Sequence, residues 1–150
     1  MRFWLASLCL LLTSCASPPP HVPQARPDPT KEPAYTQAVQ QLSALNRQAE
    51  GLLKAGRSQE AAAAITEGQP LQGRLLAAPR PPLAAMQAAS DLDDLYARML
   101  LLNHHDGWAR MTYQKDAARW RSWRPRNDDS ARYLRRAEEG MAECDRRLKE

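Results

Sequence analysis

Residues 108–126 concentrate the side chains best suited to recognising another molecule. Trp108, Arg110, Tyr113, Lys115, Arg119, Trp120, Arg121, Trp123, Arg124 and Arg126 all fall in this stretch, which holds six basic residues and one acidic residue. Trp and Arg anchor interfaces because they bury large areas and still make polar contacts. The expected partner-binding set is therefore Trp108, Arg119, Trp120, Arg121, Trp123, Arg124 and Arg126. The same mixture suits anionic lipid, lipopolysaccharide phosphates or polyanionic cell-wall polymers. A plainer outcome is also open: Trp108, Tyr113 and Trp120 face the core and the arginines form a solvated face. Trp120 follows Tyr113 by seven residues, two turns along one helix face.

Two other clusters could carry chemistry. His104-His105-Asp106 holds metal-ligand types, but adjacent histidines point in different directions and no third ligand lies at a helical spacing. Exposed turn residues are expected there. Asp91 and Asp94 share a helix face, with Asp93 between them. A general acid–base pair needs a cleft, and nothing in the sequence marks one. Ion pairing with a neighbouring helix, or favourable charge early in their own, is the expectation. The chain carries no Gly-rich phosphate loop, no G-x-S-x-G, no Cys–His nucleophile pattern and no haem-attachment motif. We expect no enzyme, no cofactor and no metal.

The elements that must position these residues are helices. The 150 residues contain 25 Ala and 20 Leu but only 2 Val and 1 Ile. Strands draw on β-branched and aromatic residues, and helices on Ala and Leu. An all-α domain follows, built from antiparallel α-hairpins. Its 21 basic against 17 acidic residues are too slight an excess to imply nucleic acid. Tyr35, Ala38, Leu42, Leu45, Ala49 and Leu52 make one stripe on a first helix. Gly56 should stop it and Ser58 cap the next. Gly68 and Pro70 predict an end to the second helix, with a short helix over 70–78. Pro82 fits the first turn of a third, striped by Leu83, Met86, Ala89, Leu92, Tyr96, Met99 and Leu102. A fourth is expected from about Trp108 to Trp123, after a turn over 103–107. A fifth, capped by Asn127 or Asp128, carries Leu134, Ala137, Met141, Cys144 and Leu148. Cys144 on that stripe predicts a buried thiol, the alternative being a bridge between two chains.

The N-terminus reads as an address. Met1-Arg2 precedes an apolar run from Phe3 to Leu12, too short to span a bilayer. Leu12-Thr13-Ser14-Cys15 follows and resembles the lipobox of bacterial lipoproteins. The resemblance implies cleavage after residue 14, acyl chains on Cys15 and attachment to a membrane of the cell envelope. No Asp follows Cys15, which in such proteins favours the outer membrane, facing the periplasm, over the inner. Residues 15–33 form a Pro-rich tether with seven prolines; at 3.1 Å per residue it reaches roughly 50 Å. Residues 34–150 form the helical domain.

Within that domain, Ala49-x-x-Leu52-Leu53 with Ala61-x-x-x-Ile65 matches Ala97-x-x-Leu100-Leu101 with Ala109-x-x-x-Tyr113 at an offset of 48. This resembles the tetratricopeptide repeat, with Leu45 in its Trp place, Ala49 in its Gly place, Leu52 in its Tyr place, and Ala61 and Ile65 in its Ala and Phe places. The second copy adds Tyr96 but puts Asp93 in the Trp place, and the period departs from 34 residues. Either a tetratricopeptide-like stack or a plain small bundle is implied, with the last helix capping the open face. The expected function is non-catalytic: a lipid-anchored envelope adaptor for an unidentified envelope protein. The alternative is a tether that binds anionic glycan or lipid through the basic aromatic helix.

Overall fold

The computed structural model describes residues 28–150; the leader, Cys15 and most of the Pro-rich tether lie outside the described residues. A 3-10 turn over Pro29–Lys31 leads into α1 (Pro33–Lys54), so the last residues assigned to the tether already belong to the fold. The remaining helices are α2 (Ser58–Leu76), α3 (Leu83–Leu102), α4 (Asp106–Ser122) and α5 (Asp128–Arg147). Among the described residues there is no strand. Gly56 stops α1 by adopting φ +72°, a left-handed conformation that costs a glycine little. Asn127 caps α5: its side chain accepts from the Ser130 N–H at 2.8 Å, and the Ser130 hydroxyl accepts from the Asn127 N–H at 2.9 Å.

Each helix packs on the next, α1 also packs on α3, and α3 touches α5. The odd helices therefore run parallel along one side, and α2 and α4 run antiparallel to them on the other. Two ends result. At the proximal end, where residue 28 joins the domain, lie the starts of α1, α3 and α5, the loop 77–82 and the turn 123–127. There the Tyr35 hydroxyl donates to the Leu75 carbonyl at 2.8 Å. At the distal end lie the turns after α1 and α3 and the last turn of α5, where Arg110 pairs with Asp145.

Leu42, Ile65, Leu75 and Leu92 centre one part of the core, between α1, α2 and α3. Tyr113, Ala109, Leu100 and Cys144 centre the other, between α3, α4 and α5. Every buried side chain among the described residues lies between Tyr35 and Cys144.

Several expectations need correction. Helix α2 does not end near Gly68–Pro70, and no separate helix covers 70–78; one helix runs to Leu76 with Pro70 inside it. An interior Pro costs about 3 kcal/mol, but Pro70 is exposed while Ile65, Gly68 and Leu75 keep burying one face. Gly68 has a packing reason: a Cβ there would lie 2.9 Å from Leu92 and 3.1 Å from Leu42. Pro82 caps α3 from just outside rather than filling its first turn. The α3 stripe is also incomplete. This helix meets all four others, so Ala85, Ala88, Ser90, Leu95, Ala97, Leu100 and Leu101 are buried too, whereas Leu102 is 63% exposed. Helix α4 starts at Asp106 rather than Trp108 and stops before Trp123, which is extended. On α5, Leu148 falls off the end of the stripe and is exposed.

Candidate functional site

The stretch 108–126 is one segment of sequence with three destinations. Trp120 is 1% exposed and belongs to the core. Its Nε1 donates to the Ser90 hydroxyl at 3.0 Å, and its ring stacks on Tyr133 at 5.0 Å between centroids. The Arg136 guanidinium also lies over the Tyr133 ring, 4.5 Å from its centroid. Arg119 is turned inward as well, bonded to Asp93 and, at 3.0 Å, to Asp116. Trp120 is therefore not a contact surface, and the charge of Arg119 is already paired. Arg121 is exposed but reaches across to Glu138 of α5 at 2.8 Å.

The other members separate to opposite ends. Trp108 stands 66% exposed in the first turn of α4, at the distal end. Trp123, Arg124 and Arg126 sit in the turn after α4, at the proximal end. Trp123 is half-buried with its edge against Trp120, 6.1 Å between centroids. Arg124 and Arg126 are exposed.

Between the ends, at the junction of α3, α4 and α5, lies a buried polar knot that sequence reasoning did not find. Ser90 is fully buried and Asp116 is 2% exposed. The Ser90 hydroxyl donates to Asp116 at 2.5 Å and accepts from Trp120 and, at 3.1 Å, from Arg136. Its one donor and two acceptor positions are thus all used. Burial pushes the Asp116 carboxyl up to about 6, against the pull of the Ser90 hydrogen bond. The knot is closed to solvent and has no room for a substrate; it holds three helices in register. An Asp three residues before an Arg-Trp pair gave no sign of this, because polarity alone reads as exposure.

The three aspartates of α3 each find a cation. Asp91 pairs with Arg136 of α5 at 2.8 Å, Asp93 with Arg119 of α4, and Asp94 with Arg98 at 3.2 Å. The first two are ion pairs with neighbouring helices, as the sequence suggested; the third lies within α3. Asp93, in the repeat's Trp place, is accommodated by Arg119 and by Gln72, which donates to it at 2.8 Å. His104 and His105 are exposed in the turn before α4, His104 at φ +58°. Among the described residues, no three His, Cys, Asp or Glu side chains gather as a metal site. No described helix is long and apolar enough to cross a membrane. Cys144 is free and fully buried, and burial raises its thiol pKa, so it is placed to pack rather than to bridge chains.

Among the described residues, several depressions could seat another molecule. The largest, about 560 Å³, is a groove along α1, α3 and α5. Its Arg98 is neutralised by Glu50 and Asp94, and its Arg136 by Asp91. Asn46, 6% exposed, donates to the Ala88 carbonyl at 2.8 Å across its floor. At the proximal end, a depression of about 450 Å³ lies between Pro79, Arg80 and Pro81 on one side and Trp123 and Arg124 on the other. Arg80 escaped sequence reasoning because it is distant in the chain from the basic stretch it joins. The distal end instead exposes large apolar side chains. Leu102, Trp108, Met111 and Leu148 are 63%, 66%, 52% and 55% exposed, and all four lie there or within a turn of it. No family model matches this chain, and neither a curated protein nor a solved structure matches it.

Proposed function

We propose that this chain is a lipid-anchored, non-catalytic adaptor of the bacterial cell envelope, held by Cys15 on the membrane and docking a protein partner on its helical domain. The lipobox-like Leu12-Thr13-Ser14-Cys15 supports the anchor, and the stacked hairpins, akin to tetratricopeptide repeats, support the adaptor. With no Asp after Cys15, the outer membrane, facing the periplasm, is the favoured site.

The observation that carries the docking surface is the exposure of Trp108 and Met111, one turn apart on the outer face of α4, with Leu102 and Leu148 exposed at the same end of the domain. An exposed Trp with a Met one turn along the same helix face suits a contact surface, and Trp is the commonest anchor in such surfaces. Trp108 is retained from the expected set; Trp120 and Arg119 give way to Met111, Leu102 and Leu148. The groove along α1, α3 and α5 is less suited, since its ion pairs would have to be broken to admit charged ligands.

The test reads the size of the complex formed by the full chain after mild detergent extraction from its own membranes. Trp108→Ser with Met111→Ser is expected to weaken that complex by about tenfold or more, the range of a buried Trp anchor. An unchanged complex in this variant would contradict the distal docking surface.

A further inference from the structure

The proximal depression has a chemistry of its own. Trp123, Pro79 and Pro81 form its walls, Arg80 and Arg124 are exposed on it, and no acidic residue lines it. Arg119 also reaches it, but that guanidinium is bound to Asp93 and Asp116. Among the described residues, Arg80 has no acidic partner within ion-pair distance. Arg124 donates only to backbone carbonyls, those of Arg121 at 2.9 Å and Trp123 at 2.7 Å. Those bonds orient its guanidinium without neutralising it. Arg126, two residues on, is exposed and likewise without an acidic partner among the described residues. This is uncompensated positive charge beside a half-buried indole.

The depression's place in the chain gives it an occupant. Residues 1–27 join the domain at Asp28, at this same end. Cys15 stands thirteen residues before Asp28, so even fully extended the link spans at most about 45 Å. A surface on so short a leash meets the membrane at high effective concentration. Guanidinium groups hold phosphate oxygens through paired N–H donors, and indole rings settle at headgroup depth. Anionic leaflets attract each nearby Arg by about 1 kcal/mol, and a lipid chain joined to a basic patch holds better than either alone.

We propose that the proximal depression docks on anionic phospholipid headgroups, with Arg80 and Arg124 on the phosphates and Trp123 at the interface. The domain then stands on the bilayer with its distal end turned outward. The orientation rests on the lipid-anchor reading; the headgroup affinity belongs to the domain itself.

The test floats residues 28–150, once circular dichroism and a cooperative melt show that this part folds, with vesicles of phosphatidylcholine alone or mixed with phosphatidylglycerol. Binding is expected only to the mixed vesicles and should fall steeply with salt. Arg80→Gln with Arg124→Gln should weaken it by about tenfold or more, at roughly 1 kcal/mol per charge. Lys115→Gln with Lys149→Gln removes the same charge from exposed positions elsewhere and should weaken it by less than about threefold. Equal binding to both vesicles, or equal losses in the two double variants, would overturn the proposal. So would a concentration-dependent dimer of the free domain that Arg124→Gln dissolves, which would give the surface to a second copy. The anchor is read separately, from the mass of the Cys15 peptide in membranes of the full chain, so the failure of one does not imitate the failure of the other.

Discussion

Helix α4 begins and ends in tryptophan-bearing surface, and the two surfaces differ. At the distal end Trp108 is exposed with Met111 one turn along α4, and Leu102 and Leu148 are exposed at the same end. At the proximal end Trp123 is half-buried beside Arg80 and Arg124, with no acid lining the depression. Between them Trp120 is sealed in the core by Ser90 and Tyr133. One apolar surface suits a protein partner and is indifferent to salt; one cationic surface suits phosphate and is sensitive to it. The comparison teaches that a linear run of Arg and Trp is not a site. The helix sorts its members by face, and its length separates what remains.

The sharpest way to break the comparison is through the middle. Trp120→Ala should cost about 3–5 kcal/mol in chemical denaturation, the range for deleting a buried Trp. Trp108→Ala should move stability by no more than about 0.5 kcal/mol, as an exposed side chain. Similar losses for both would mean that the distal surface is structural after all.

Acidification should sharpen the picture next. Asp116 is held near 6 in the fold against 3.8 when exposed, because burial penalises its charge. The folded state therefore binds its proton more tightly, and stability rises as pH falls through 6 and levels off toward 3.8. The gain is on the order of 2–3 kcal/mol. It is best read between pH 7 and 5, before Glu50 and Glu143, whose arginine partners hold them below the usual carboxylate range, begin to protonate. Asp116→Asn should abolish the rise. A wild-type denaturation midpoint that falls over that interval would contradict the buried charge.

Glycines give the smaller tests. A Cβ on Gly140 would lie 2.6 Å from three atoms of the Tyr113 ring, so Gly140→Ala should cost about 1–3 kcal/mol by overpacking, despite its better helix propensity. Gly51 meets nothing within 4 Å on exposed α1. Gly51→Ala should instead stabilise by about 0.5–1 kcal/mol. Thermal melts of the two variants moving in the same direction would show that α5 is not seated on Tyr113 as described.

Much of the helical order was legible because Ala-Leu stripes and Gly or Asn caps are local signals. Helices α1 and α5 carry one buried face each, and their stripes on Tyr35, Ala38, Leu42 and on Ala137, Cys144 read out directly. Helix α3 touches all the others, so no single stripe describes it. Pro70 misled because a local penalty was outweighed by the burial of Leu75, five residues later. The candidate site was less legible still. Arg119 and Arg124 look alike in sequence, and only Asp93 and Asp116, supplied by folding, turn the first inward. Arg80 reaches the same depression as Arg124 only through tertiary folding, which no spacing records.

The central claim is that the two ends of the domain serve different partners. It is tested most directly by in-cell photocrosslinking of the full chain, with Cys15 intact, from position 108 and, separately, from position 124. The account expects one dominant protein adduct from position 108 and a phospholipid adduct from position 124. The same protein adduct from both positions, or lipid from position 108, would contradict it.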